Sequence, residues 1–272
     1  MAQTSTPGSS IMQRPSPPQS TDTPAWVSRL AWSLGSIAAF FVFWEVMALL
    51  IQHRHLPGPS VVFAAMMREA ASGELLYHIG MTLYRVAIAF TLAMLIGSAI
   101  GIALGRNGKA DRFFDTWLIL FLNLPALVVI ILCYVWFGRT ELAAILAVAI
   151  NKIPNAAVTV REGARSLSRD LAEMAHMYRF GYWRTLRHVT LPQLAPFFLA
   201  AARNGLSLVW KIVLVVELLG RSDGVGFQLG VYFHMFDVAM ILAYALAFIF
   251  VVQIIEFGVL QPLGNRVNRW RR

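Results

Sequence analysis

The stretch EMAHMYRFGYWRTLRHVTLP, residues 173–192, is the longest polar interruption between the apolar blocks of this sequence. It carries three arginines, two tyrosines and a tryptophan, and it contains no pairing of nucleophile and base. Its reading depends on what flanks it. On either side lie runs long enough to cross a bilayer, whose hydrocarbon core of roughly 30 Å takes about 20 apolar residues as a helix. The stretch is therefore a connection between membrane spans, held outside the hydrocarbon.

Composition agrees with that reading. Of 272 residues, 58% are hydrophobic and only 14% charged, against roughly 25% charged in soluble domains. A formal net charge of +9 raises the possibility of a nucleic-acid surface. However, the cations cluster between apolar runs, as they do in the loops of membrane proteins. The single cysteine, Cys133, lies within an apolar run and can form no intrachain disulfide. Residues 1–28 are rich in Pro, Ser and Thr and read as a disordered cytoplasmic tail, followed by a transmembrane domain over 29–262 and a basic cytoplasmic C-terminus, 263–272. The late, long first apolar run reads as a retained span rather than a cleaved signal.

These features predict an all-α polytopic membrane protein with six spans near 30–51, 81–105, 113–137, 141–160, 195–219 and 238–259. The fourth has the shortest apolar run, followed by Asn151, Lys152 and Pro154, so a five-span topology with that segment re-entrant is the alternative. Placing both termini in the cytoplasm puts fifteen Lys and Arg residues inside and four outside. That bias sets the orientation and makes 173–192 cytoplasmic.

The first outside loop carries Pro57, Gly58 and Pro59. Ser60 is the expected cap of a short surface helix with Val61, Ala64, Ala65 and Met67 on its apolar side. His53 and His55 lack clustered partners and read as interfacial residues rather than metal ligands. Gly97, Gly101 and Gly105 fall on one face of the second span and predict close approach of another helix.

Within 173–192, Asp170 and Glu173 have capping-box spacing, and Leu171, Met174, Ala175, Tyr178 and Tyr182 share one helix face. Leu191-Pro192 is expected to end this helix, near 170–185, because proline disfavours a helical residue before it. An amphipathic cytoplasmic helix can rest on the inner leaflet or dock into a partner's groove.

The segment resembles the cytoplasmic loop signature of binding-protein-dependent ABC importer permeases: Glu-Ala-Ala, three residues, Gly, nine residues, Ile-x-Leu-Pro. Glu173 and Ala175 match its start; Val189 stands for the isoleucine, and Leu191 and Pro192 match its end. Met174 replaces the middle alanine and Arg179 the glycine, with Gly181 two residues on. The runs NLPALVVIILCYVWFG (123–138) and LVWKIVLVVELLGRSDGVGFQL (208–229) are similar to the nitrate/sulfonate/taurine branch. The resemblance implies a type I importer permease fold and a homodimer. It implies an inner-membrane permease served by an extracytoplasmic binding protein, with 170–185 as the coupling helix that docks into a cytoplasmic ATPase, which supplies ATP and magnesium. The implied coupling residues are Asp170, Leu171, Glu173, Met174, Ala175, Tyr178, Arg179, Gly181, Leu191 and Pro192.

The chain carries no nucleotide-binding loop of its own. The nearest approach, GRNGKA at 105–110, has Ala110 where a hydroxyl must hold magnesium and Ala103 where the first glycine is required. No enzymatic role and no cofactor are expected. Ionisable residues inside spans cost on the order of 3 kcal/mol, which singles out Glu45, Arg85, Lys152, Lys211, Glu217 and Glu256. Lys211 and Glu217 are expected to border an anion path, or else each pairs with another span, as Glu217 with Arg85. Asn123, Pro125, Asn151, Lys152 and Pro154 mark helix breaks that often line cavities. An ion-coupled secondary transporter or a membrane scaffold is the alternative; the former needs a mid-span acidic relay and an internal repeat, and neither is evident. The sequence leaves the solute open among small anions, sulfonates and neutral compounds.

Overall fold

The computed structural model describes residues 25–51, 53 and 55–262. The expected cytoplasmic C-terminus at 263–272, and the expected tail up to residue 24, lie outside the described residues. Every regular element described is helical: α1 (Ala25–Ile51), α2 (Pro59–Ser72), α3 (Glu74–Arg106), α4 (Gly108–Asn123), α5 (Ala126–Phe137), α6 (Glu141–Arg165), α7 (Arg169–Met177), α8 (Tyr182–Thr185), α9 (Leu191–Gly220), α10 (Val225–His234) and α11 (Val238–Ile255). Single π-helical turns occupy Leu186–Thr190 and Glu256–Leu260.

Five helical stretches are long and apolar enough to cross a membrane: Leu34–Ile51, Glu74–Arg106, Glu141–Arg165, Tyr182–Gly220 and Val238–Gly258. α4 and α5, bent by 92° where they meet, pass the same test only as a pair, which gives six crossings if the pair is one broken span and five if it is a re-entrant loop. The stretch expected as the third span, 113–137, is this pair, and its break falls at Asn123 and Pro125, the residues expected to disturb it. Leu124 is pushed out of helical geometry (ψ 126°) by Pro125, which removes a donor and crowds the preceding residue.

The fourth span, read as the fragile one, is an uninterrupted helix despite Pro154. Burial explains the difference. Pro154 lies in the helix that packs against both α3 and α9, whereas Asn123 and Leu124 are exposed. The polar side chains of α6 also turn back on their own backbone: Asn151 Nδ2 donates to Ala147 O (2.9 Å) and Thr159 Oγ1 to Asn155 O (3.0 Å). They satisfy themselves inside an apolar setting.

The core is built on the α3–α6 pair, with α9 and α11 closing around it. Gly97 and Gly101 make the closest approach possible. A methyl group on Gly97 would lie 2.7 Å from Ile153 O, and one on Gly101 would lie 2.6 Å from Ala157 O and 2.9 Å from Val160 Cβ. The glycine face expected of the second span therefore packs within the protomer, against α6. Gly105 continues it at Arg161 O, 2.7 Å from the position of an added methyl.

Between spans one and two, α2 is an amphipathic helix, but its register differs from expectation. Gly58 is the cap and Pro59 the first helical residue, so the buried side runs through Pro59, Val62 and Ala65 while Val61 and Met67 face outward. Ser60 instead donates its hydroxyl to Glu45 Oε1 (2.8 Å), and its amide donates to Oε2 (3.2 Å). Glu45 of α1 thus places a carboxylate at the N-terminus of α2, where exposed amides favour negative charge. The ring nitrogen of Trp44 donates to Pro57 O (3.0 Å) beside it.

Candidate functional site: the docking segment and the polar interior

The amphipathic connection is two pieces joined by a turn. Ser168, not Asp170, caps α7; its hydroxyl accepts from Leu171 N, and Asp170 sits in the first turn, where its charge favours the helix dipole. The capping-box pairing of Asp170 with Glu173 does not form, because the helix begins two residues earlier than that pairing requires. α7 ends at Met177 through paired closing bonds: Phe180 N donates to Ala175 O (2.9 Å), and Arg179 N to His176 O (3.0 Å). This arrangement places the residue after the cap in left-handed geometry, the usual place of glycine. Arg179 occupies it, with φ 51°.

Arg179, at the position where the resembled signature has glycine, thus takes a backbone geometry that glycine adopts without strain. Left-handed geometry costs a side-chain-bearing residue about 1–2 kcal/mol. Arg179→Gly is expected to stabilise this turn by about 1 kcal/mol, read as slower hydrogen exchange at the Phe180 amide.

Of the predicted apolar face, Ala175 is buried, whereas Leu171, Met174, Tyr178 and Tyr182 are exposed, joined by Met177 and Trp183. Tyr178 is 72% exposed and Trp183 78%. Exposed apolar side chains gathered on one short helix mark an interaction surface. Gly181 precedes α8, and Arg184 lies over the Phe180 ring at 5.8 Å.

The segment is anchored to the bundle where Ser168 N donates to Gln193 Oε1 (3.0 Å). Leu191-Pro192 does not end a helix, contrary to the reading above. The chain runs helically from Tyr182 to Gly220, because the π-turn at Leu186–Thr190 lengthens the bonding ring just before Pro192 and absorbs the missing donor.

At the opposite end of α3, Arg85 is buried among three carboxylates. Its Nε donates to Glu141 Oε1 (2.7 Å), Nη2 to Glu141 Oε2 (3.0 Å) and Nη1 to Glu217 Oε1 (2.7 Å); it also pairs with Asp223. Glu217, fully buried, further accepts from Thr82 Oγ1 and Gly226 N, both at 2.9 Å. Arg221 adds a second cation on Glu141 Oε2 (2.7 Å). The network ties α3, α6 and α9 to the loop that leads into α10. Glu217 thus sits in an ion pair with Arg85, sealed from open space.

The other candidate path residues are dispersed. Asn123 is exposed, with Nδ2 on Ile119 O (2.7 Å), and Pro125 starts α5. Lys211 is exposed and lines a cavity of about 290 Å³ with Ser207, Trp210, Leu214, Phe248 and Gln253. Lys152 is only 2% exposed and crosses from α6 to lie over Gly205 of α9.

Sequence reasoning missed a second charged clamp near the docking segment. Arg161 Nη1 reaches Asp115 Oδ1 (2.6 Å) and Asp111 Oδ1 (3.3 Å), and Arg165 pairs with Asp111. The signal was present as matched spacing: 161 and 165 on α6 face 111 and 115 on α4, four apart in each case. His78 and Gln228, which pack by the Arg85 network with Gly224 N on His78 Nδ1 (3.0 Å), had no comparable signal.

Similarity to known proteins is extensive. Residues 93–261 match the family described as binding-protein-dependent transport system inner membrane component. A putative aliphatic sulfonates transport permease of Escherichia coli (strain K12) is 30% identical over 76% of this chain and 79% of its own length. The corresponding protein of Bacillus subtilis (strain 168) is 29% identical over 74% of each chain. The taurine transport system permease of Escherichia coli (strain K12) is 25% identical over 88% of this chain and 89% of its own. Among solved structures, an inward-facing MetNI methionine ABC transporter chain shares the fold with a TM-score of 0.64 at 19% identity, over 73% of this chain and 98% of that one. A helical bundle with five or six apolar crossings and these relationships converge: the chain belongs to the binding-protein-dependent transport system inner membrane component family, as a non-catalytic ABC importer permease of the nitrate/sulfonate/taurine branch.

Proposed function

We propose that this permease forms the translocation path for a small anionic solute in the inner membrane, as one half of a homodimer. An extracytoplasmic binding protein delivers the solute, and a cytoplasmic ATPase dimer, holding ATP and magnesium, drives the cycle. Both termini face the cytoplasm, as the excess of Lys and Arg on that side supports. The solute class is supported by the sulfonate and taurine names of the relatives and by the cations Lys152 and Lys211; Asn123, Pro125 and Glu217 border the same route or brace it.

The observation that carries the coupling role is the exposed face of Leu171, Met174 and Tyr178 on a helix whose other side is tied to the bundle through Ala175 and Ser168. Asp170, Glu173, Arg179 and Gly181 frame this surface, and Leu191 and Pro192 carry its displacement into α9. ATP-driven closure of the ATPases draws the two docked helices together and turns the permease from inward- to outward-open.

The test uses the complex reconstituted with its ATPase and binding protein. Tyr178→Ala removes an exposed aromatic anchor, a change that costs about 2 kcal/mol or more at an interface hot spot, and Glu173→Arg reverses a charge at the same surface. Each is expected to lower transport per ATP hydrolysed at least tenfold, with normal amounts of folded permease in the membrane. Unchanged coupling in both variants refutes the docking role.

A further inference from the structure

Lys152 is a buried charge without an ion-pair partner among the described residues. An ammonium taken from water without a counter-charge is destabilising by several kcal/mol, and intramembrane cations normally face a partner or an aqueous cavity. The acidic residues within reach of other cations are already engaged: Glu217 and Glu141 by Arg85, and Asp111 and Asp115 by Arg161. The end of the Lys152 side chain lies against a glycine. A methyl group on Gly205 would lie 2.6 Å from Lys152 Nζ, so the absence of a side chain there lets the cation cross α9.

Beyond Gly205, α9 turns an unusual face outward. Arg203, Asn204, Ser207 and Lys211 are all exposed on a helix that is otherwise apolar enough to span a membrane. Arg203 to Lys211 covers about 12 Å along the axis, at 1.5 Å per residue. Neither cation has an ion-pair partner among the described residues. Polar and cationic side chains exposed on a spanning helix are unfavourable against lipid and favourable against water or an anion.

We propose that Lys152, reaching over Gly205, and the α9 stripe from Arg203 to Lys211 form one cationic ladder that selects the anionic group of the solute during passage. The ladder lets a sulfonate- or carboxylate-like head move between three fixed cations, with Asn204 and Ser207 offering hydrogen bonds between them. No single site then holds the anion so tightly that release becomes slow. Lys152 is the selective rung, because its charge is the least screened by water. The proposal rests on the reading that this face of α9 lines the path.

The experiment separates the two. In the full complex with its ATPase, Cys133→Ala removes the native thiol and Asn204→Cys places a reporter beside Gly205. Modification of the reporter is timed with an anionic probe, 2-sulfonatoethyl methanethiosulfonate, and with its cationic trimethylammonium counterpart. A reporter whose reactivity changes between the ADP and vanadate-trapped ATP states lies on the path; one indifferent to the nucleotide removes the path reading and the ladder with it. Given a responsive reporter, Lys152→Met is expected to lower the anion-to-cation rate ratio at least fivefold, since a cation lying against the adjacent Gly205 acts oppositely on the two probes. Lys152→Arg is expected to keep the ratio, and Lys211→Gln, an exposed substitution, to lower it by a smaller factor. Replacing a buried unpaired lysine by methionine is no burden on folding. A ratio unchanged in both Lys152→Met and Lys211→Gln overturns the ladder while leaving the path intact.

Discussion

Arg85→Leu will produce the largest loss of stability of any single substitution in the interior. The guanidinium holds Glu141, Glu217 and Asp223 together. Its removal leaves Glu217, fully buried, with only Thr82 and Gly226 as polar partners. Breaking a buried ion pair from one side costs about 3–5 kcal/mol, which for a chain of this size lowers the apparent melting temperature by roughly 10 °C or more. Thermal unfolding of the purified permease in nanodiscs measures it. Glu217→Gln is expected to be milder, about 1–3 kcal/mol, because the amide still accepts from Thr82 and Gly226. Combining it with Arg85→Leu is expected to recover stability relative to Arg85→Leu alone, since the orphaned charge is gone. A double variant no better than Arg85→Leu would show that packing of the arginine, rather than its charge, carries the effect.

Gly101→Leu is the second large effect. Even a methyl group at this position would meet Ala157 O at 2.6 Å and Val160 Cβ at 2.9 Å. Neither a backbone carbonyl nor a β-branched side chain can swing aside, so α3 and α6 must separate along their shared seam. Overpacking of a tight interior costs about 1–3 kcal/mol for added methylenes, and four added carbons at a helix crossing are expected to exceed that range. The readout is loss of monodisperse permease after solubilisation. Gly80→Ala on the same helix is the control: nothing lies within 4 Å of its added methyl, and helix propensity favours alanine by about 1 kcal/mol. A matching loss at both positions would mean that the glycine seam has no special role.

Much of this was legible in the sequence because it depends on local composition. The apolar helices themselves, and the cytoplasmic placement expected for 173–192, follow from apolar runs and from where Lys and Arg fall. The exposed face of Leu171, Met174 and Tyr178 follows from helical periodicity. The role of Arg179 was half legible: the signature marked the position as a glycine site, and the backbone shows why, with its positive φ.

What the sequence did not display depends on partners distant along the chain. Pro125 and Pro154 look alike in one dimension. Only the packing of α3 and α9 around Pro154, and the exposure of the chain beside Pro125, make one a kink and the other a tolerated interior residue. Thr82 and Glu217 are 135 residues apart in sequence, as are no two groups that periodicity can relate. Capping was misplaced at Ser60 and Asp170 because a neighbouring residue satisfied the helix end first: Gly58 with Pro59 in one case, Ser168 in the other.

The α3–α6 pair is cross-linked by charge at one end, through Arg85 and Glu141, and zipped by glycine along its length, while near the other end Arg161 ties α6 to the Asp111 and Asp115 carboxylates of α4. A pair packed this closely resists bending, so rearrangement is expected where the helices are interrupted, as at the 92° elbow beside Pro125 and at the wide turn of Leu186–Thr190. The latter lies next to the surface proposed to dock the ATPase.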